Sequence, residues 1–235
     1  MKKKKRKGNV IWRWVKRVFL FFFISHLLYI LILKWVYPPI TITQLSCWIS
    51  GDGLKRNYIS HKDVPYNMKL AVVASEDQAF ADHGGFDWKS IAKAMEYNKK
   101  KPNRVRGGST ISQQVAKNVF LWQGRSMFRK ALEAYFTKMI EWVWGKQRIL
   151  DVYLNVIEMG KGVYGIEAAS QHYFGKHASK LTLKEASLIA ACLPNPKRFN
   201  PSAPSSYVAN RSNWIQTQML SIEGDPDLQK VIAGK

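Results

Sequence analysis

The chain has 235 residues, 46% of them hydrophobic, and sets 37 Lys and Arg against 16 Asp and Glu for a formal charge of +21. That length and apolar content provide for one sizeable folded domain plus an appendage, and the charge suits nucleic acid, an anionic membrane surface or a phosphorylated substrate. Two cysteines, Cys47 and Cys192, are too few and too far apart for a disulfide framework or a metal knuckle, and no pair among the five histidines has zinc-helix spacing.

Residues 1–17 hold Lys2, Lys3, Lys4, Lys5, Arg6, Lys7, Arg13, Lys16 and Arg17 with no acid, directly before the apolar run Val18 to Leu33. Extending that run through Tyr37 gives about 20 residues, enough at ~1.5 Å each to cross a ~30 Å hydrocarbon layer. The expectation is a transmembrane helix over 18–37 with a cytoplasmic N-terminus and everything after it outside. Trp12, Trp14, Trp35 and Tyr37 suit the interfaces, and Lys34 can snorkel. Pro38-Pro39-Ile40-Thr41 lacks a small-x-small cleavage signature, which favours a retained anchor over a signal peptide. Beside an anchor, the basic start is accounted for by membrane lipid, so nucleic acid is not an expected partner.

Residues 38–62 read as a stalk or linker with a turn at Gly51-Asp52-Gly53, 63–222 as the folded domain, and 223–235 as a C-terminal tail. Within the domain the spacing predicts helices from about 63 to 76, 88 to 98, from Thr110 onward, 126 to 144, 146 to 157, 166 to 174, 183 to 193 and 207 to 222. Thr110 with Gln113, and Thr182 with Glu185, have capping-box spacing. Gly160 to Gly165 reads as a turn. Strand alternation is absent, so the fold class is mainly α.

Met68, Val72 and Glu76 recur at i, i+4 and i+8 with Ala79 beyond, so a carboxylate interrupts the apolar stripe of a helix that Asp63 is expected to cap. Against apolar surface, near the negative end of a helix dipole, Glu76 should have a raised pKa and exchange protons near neutrality. The plainer alternative is a frayed helix end with Glu76 in water.

Further on, Arg106-Gly107-Gly108-Ser109-Thr110 lead into a helix start, where N–H groups and the dipole form an anion site. The loop lacks the Gly-Lys-Ser/Thr ending of a nucleotide P-loop, and an ordinary capped helix accounts for the same residues. Thr110, Gln113 and Lys117 then fall on one face, with Gln114 and Asn118 beside it. In the next group, Arg125, Arg129, Lys130 and Glu133, the spacing fits either a surface ion pair worth ~0.3–0.5 kcal/mol or a cationic wall for a diphosphate.

Taken in order, these blocks resemble the peptidoglycan glycosyltransferases, specifically the short monofunctional biosynthetic transglycosylases of the bacterial inner membrane. The first motif is met by Glu76, Asp77, Phe80, His83, Gly85 and Asp87, and the second by Gly107 through Asn118. Arg129, Lys130 and Glu133 meet the third, and Lys146, Ile149, Leu150, Tyr153, Leu154 and Asn155 the fourth. Asp151 departs from the more usual Glu.

The resemblance implies a lysozyme-like, two-lobed α domain with a membrane-abutting portion, behind one transmembrane helix and on the periplasmic side. It also implies the reaction: growing glycan on undecaprenyl diphosphate is passed to the GlcNAc 4-hydroxyl of lipid II with inversion, and undecaprenyl diphosphate leaves. Glu76 matches the general base. Glu133 matches the second essential carboxylate. Lys117, Arg125, Arg129 and Lys130 would neutralise the departing diphosphate, and Ser109, Thr110, Gln113 and Gln114 would line the donor cleft. No organic cofactor is implied, whereas a divalent cation, Mg or Mn, bridging diphosphate oxygens is reasonable. Implied partners are lipid II, undecaprenyl-diphosphate-linked glycan, membrane lipids and other cell-wall synthesis proteins. Ser90 and Lys93 spell Ser-x-x-Lys without its penicillin-binding companions, so no transpeptidase activity is expected. The rivals are a lytic enzyme, which needs a buried Glu but not the cations, and an idle scaffold, which needs neither.

Overall fold

The computed structural model describes residues 5–102, 107–124 and 126–233. Arg104, Arg106 and Arg125 therefore lie outside the described residues. The chain divides into two compact units, Met1–Tyr37 and Pro38–Lys235.

The first unit is helix α1 (Lys5–Ile32), of which Val10–Ile32 is long and apolar enough to cross a membrane. The apolar stretch thus starts before Val18 and ends before Tyr37. Arg13, Lys16 and Arg17 do not break a helix, and Lys16 and Arg17 sit over the rings of Trp12 and Trp14, 5.4 and 5.7 Å from the centroids. Downstream, Pro38 and Pro39 disfavour helical conformation in the residues before them, so the chain turns after Ile32.

The second unit begins with α2 (Ile42–Ile49), where a stalk was expected. Thr41 and Gln44 form a capping box that starts it, a Thr-x-x-Gln signal present in the sequence. Strand β1 (Lys55–Arg56) follows, then α3 (Tyr66–Glu76). Pro65, not Asp63, is the N-cap of α3, and Asp63 instead accepts a hydrogen bond from the Ser60 hydroxyl at 2.6 Å. Helix α4 (Trp88–Lys100) is capped by Asp87 and runs past Asn98, since lysines are welcome at a helix C-terminus.

Helices α5 (Ile111–Phe120), α6 (Met127–Val143) and α7 (Lys146–Val156) come next. In α7 every residue from Ile149 to Val156 is buried, the pattern of a helix packed on all sides. The expected turn at Gly160–Gly165 contains part of a small sheet, with β2 (Glu158–Gly160) antiparallel to β3 (Val163–Tyr164) and β1 parallel to β3. Strands of two or three residues are too short to show alternation. At the hairpin tip Gly162 has φ +67°, and a Cβ there would lie 2.3 Å from the Asp52 carbonyl oxygen.

Helices α8 (Ile166–Phe174), α9 (Leu183–Cys192), α10 (Ser206–Ile222) and α11 (Pro226–Ala233) complete the unit. The expected tail is therefore partly helical. Its Leu228 and Ile232 are buried, and the Ile232 carbonyl accepts from buried Lys69 at 3.0 Å.

Two helix clusters result: α3, α9 and α10 pack on one another, while α5 packs on α2, α6 and α7. The mainly α expectation is met. Glu76 ends α3 in the first cluster, and Lys117, Arg129 and Lys130 come from α5 and α6 in the second.

Candidate active site

Met68 and Val72 are fully buried, so the stripe that leads to Glu76 faces the core as expected. The carboxylate itself is partly buried at the last turn of α3. Gln114 Nε2 donates to its Oε2 at 2.8 Å and the Ser75 hydroxyl lies 3.3 Å from its Oε1. Burial raises its pKa, against the lowering effects of the Gln114 hydrogen bond and of the Arg211 charge. Behind it, buried Tyr153 donates to Gln114 Oε1 at 3.4 Å, which leaves the Gln114 amide nitrogen to face Glu76. Gln114 is thus the link between the base and the α7 core.

Glu133 has different surroundings. Arg129 Nη1 donates to its Oε2 at 3.1 Å and Lys130 Nζ donates to its Oε1. Both acidic oxygens are engaged by cations, and among the described residues the buried Arg129 Nε has no hydrogen-bond partner. Lys117 stands within the field of this group. Burial lowers its pKa most, Glu133 raises it, Arg129 and Lys130 lower it, and Glu76 raises it slightly. The cationic wall is therefore built on a buried carboxylate, Glu133, rather than lying on the surface as an exposed ion pair.

The helix start at Thr110 differs from expectation. The Ile111 N–H donates to Asp77 Oδ2 at 3.0 Å, the Gln113 N–H to the Thr110 hydroxyl and the Thr110 N–H to Gln113 Oε1. The anion at this dipole end is the chain's own Asp77, so the glycine loop does not form a free anion site there. Gln113 spends its side chain on the capping box and is buried, instead of lining a cleft. Gly108 serves packing, since a Cβ there would come within 3.3 Å of Ala94 Cβ and Ile91 Cα.

Asp77 also accepts from His83 Nε2 at 2.9 Å, and His83 Nδ1 accepts from the Gly85 N–H at 3.1 Å. The second bond fixes the proton on Nε2 in the neutral ring. The Gly85 carbonyl in turn accepts from the Thr110 hydroxyl at 2.7 Å. These bonds join the loop after Glu76 to the start of α5, and so set where Gln114 and Lys117 stand relative to the base. Gly85 has φ +94°, and a Cβ on it would lie 2.7 Å from Thr137 Cγ2. Asp77 and His83 were read in the sequence as motif members without a role.

Two cavities flank this arrangement. One, of about 320 Å³, is bordered by Glu76, Asp77, Asp87, Ser109, Thr110 and Trp214. The other, of about 410 Å³, is bordered by Gln114, Lys117, Asn118, Glu158, Tyr164 and Lys197. Ser109 and Thr110 thus border the first cavity and Lys117 the second, with Gln114 between them. Among the described residues no three His, Cys, Asp or Glu side chains converge to hold a metal, and the Glu133 oxygens are taken by Arg129 and Lys130. The residues present do not make a protein-held divalent site.

The chain matches the Transglycosylase family over residues 43–220, a span that takes in α2. It is 46% identical over 225 residues to the biosynthetic peptidoglycan transglycosylase of Shewanella oneidensis, covering 94% of this chain and 96% of that one. Proteins of the same name from Escherichia coli and Shigella dysenteriae serotype 1 are each 54% identical over 193 residues, covering 80% of this chain and 78% of theirs. The mainly α fold is accordingly the lysozyme-like fold of that family, and the single N-terminal apolar helix is consistent with a membrane anchor. With most of its length matched, and with residues of the first two motifs, Glu76, Ser109, Thr110 and Lys117 among them, bordering the two cavities, the chain belongs to the transglycosylase family and is a peptidoglycan glycosyltransferase.

Proposed function

We propose that the chain polymerises glycan from lipid II. The growing glycan on undecaprenyl diphosphate is the donor, and the GlcNAc 4-hydroxyl of lipid II is the acceptor. Glu76 takes the hydroxyl proton as the oxygen attacks the anomeric carbon from the face opposite the diphosphate. The new C1–O4 bond forms, the bond from C1 to the diphosphate oxygen breaks, and the configuration inverts from α to β.

The observation that carries this reading is the division of charge around Gln114. On one side stands a carboxylate whose side-chain hydrogen-bond partners among the described residues are an amide and a hydroxyl, with a proton affinity raised by burial. A base tuned toward neutral pH is the better proton acceptor in the transition state. On the other side stand Lys117, Arg129 and Lys130, where negative charge develops on the leaving group.

The same reading places the chain in the bacterial inner membrane by α1, with the basic N-terminus in the cytoplasm and the enzyme domain in the periplasm, where it meets lipid II, membrane lipids and other cell-wall synthesis proteins. Transpeptidation is not part of the proposal: Ser90 sits in the first turn of α4, its backbone N–H bound to the capping Asp87 at 3.0 Å. Detergent-solubilised protein incubated with labelled lipid II is expected to give long β-1,4 glycan and free undecaprenyl diphosphate. Release of soluble muropeptides from intact peptidoglycan, with no polymer from lipid II, would establish the lytic reaction instead.

A further inference from the structure

Helix α10 borders the smaller cavity through a set of residues that no motif includes. Arg211, Trp214 and Gln218 fall at i, i+3 and i+7, which places them along one face. Arg211 Nη2 donates to the Ser75 hydroxyl at 3.3 Å, and Gln78 Nε2 donates to Gln218 Oε1 at 3.1 Å, so both ends of this face are tied to the last turn of α3 and the residues just after it. Between them Trp214 is 46% exposed and borders the cavity with Glu76, and the Arg211 guanidinium lies over its ring, 5.8 Å from the centroid. A large indole surface is left half in solvent beside the base, with the Arg211 guanidinium against it.

The chemistry of the cavity points to its occupant. Among the described residues that border it the charged groups are carboxylates, Glu76, Asp77 and Asp87, with Ser90, Ser109 and Thr110 as hydroxyl neighbours. No Lys or Arg is among those bordering residues, whereas Lys117 and Lys197 border the other cavity, which is the one suited to a diphosphate. A pyranose ring with equatorial substituents has an apolar C–H face and a rim of hydroxyls. An aromatic surface opposed by carboxylates and hydroxyls matches both features, and about 320 Å³ falls within the ~300–1,000 Å³ typical of small-ligand sites.

We propose that Trp214 is the stacking platform for the neutral N-acetylhexosamine ring that presents its hydroxyl to Glu76, and so a specificity-determining residue of this enzyme. The assignment rests on the polymerase reading above in its kinetic consequence, but not in its binding consequence. Stacking fixes the sugar before the reaction, so its loss weakens binding more than it slows the bound complex.

The test uses the full chain in detergent and three variants, Trp214→Ala, Trp214→Leu and Trp214→Phe. Two quantities are measured: saturation transfer by NMR to a non-reactive β-1,4 N-acetylglucosamine tetramer, and the initial polymerisation rate against lipid II concentration. Trp214→Ala and Trp214→Leu should lose saturation transfer and raise KM about tenfold with kcat within about twofold, while Trp214→Phe retains most of both. Leucine fills space without offering an aromatic face, so rescue by Leu as complete as by Phe would show packing and overturn the platform. Unchanged KM and tetramer binding in all three variants would overturn it too, while leaving polymerisation intact. Trp214-dependent tetramer binding by a wild-type protein that makes no polymer would uphold the platform and sink the polymerase reading.

Discussion

Two carboxylates near Lys117 occupy opposite kinds of surroundings. Glu76 ends a helix, meets an amide and a hydroxyl, and has its pKa raised by burial. Glu133 lies in the second turn of α6, only 3% exposed, with a cation on each oxygen. A carboxylate with only neutral hydrogen-bond partners can take a proton, because ionisation is what its site disfavours. One with Arg129 on one oxygen and Lys130 on the other serves to fix the cations. The same residue type is thus a base in one region and a bracket in the other, and the difference lies in neighbours contributed by other helices or by the next turn.

The largest effect should come from Glu76. Glu76→Gln keeps the shape and can still accept from Gln114, yet cannot take a proton, so turnover should fall by roughly 10²–10⁴ with folding retained. Steady-state polymerisation of lipid II measures this. Near-normal turnover would remove the distinction between the two acids.

Lys117→Ala tests the other side. If Lys117 acts as one strong electrostatic donor to the leaving diphosphate, its loss should cost ~2.7–4 kcal/mol of transition-state stabilisation, seen as a fall in the single-turnover rate. Lys161, an exposed lysine paired with Asp52, is the control and should leave that rate unchanged when replaced by Ala. Survival of the rate in Lys117→Ala would place the leaving group elsewhere.

Glu133→Gln should show chiefly in stability. Removing the anion strands the Arg129 guanidinium, whose side chain is 11% exposed, whereas Lys130 at 48% can turn to water. Breaking a buried pair by deleting one partner costs about 3 kcal/mol, and the solvent near Lys130 reduces its share. Chemical denaturation should therefore show a clear loss, partly recovered in Glu133→Gln with Arg129→Met. No loss would mean the frame is not needed to hold the cations.

How much of this is visible in the sequence depends on the range of the interaction. Glu76 on an apolar stripe, the Thr110–Gln113 box and the Arg129–Glu133 pair are contacts or phases within a few residues, and local periodicity carries them. The Gln114 bond to Glu76 and the Asp77 bond to Ile111 join α3 to α5 across more than thirty residues, and no local pattern marks them. That is why the N-terminus of α5 read as open to a phosphate when it is already satisfied by Asp77. Helix α2 was missed for another reason: its Thr41–Gln44 box was legible, but Ile42, Leu45, Trp48 and Ile49 are exposed while Thr43, Gln44 and Cys47 are buried. Ile42, Leu45 and Ile49 fall at i, i+3 and i+7, so a helical stripe was legible too, but it faces outward and the polar side is buried, the reverse of an ordinary surface helix. Trp214, outside every motif, had no signal beyond its aromatic size.

The smallest expected effect has the opposite sign from the others and separates the two acids most directly. Glu76 has a pKa raised in the folded state, so between the unfolded and folded values the folded chain binds more protons. Its contribution is fully present below the ordinary Glu value and is lost as pH rises through the folded one. Above that point the folded state carries a buried charge that glutamine does not. Glu76→Gln should therefore melt at a higher temperature than the wild type at pH 7.5, and the gain should shrink as pH falls toward about 4, the ordinary Glu range. Glu133→Gln should show no such gain at any pH, because its carboxylate is matched by cations. Parallel melting curves of both variants from acid to neutral pH measure the contrast, and a destabilised Glu76→Gln at pH 7.5 would mean that the folded chain favours the ionised form of Glu76 after all.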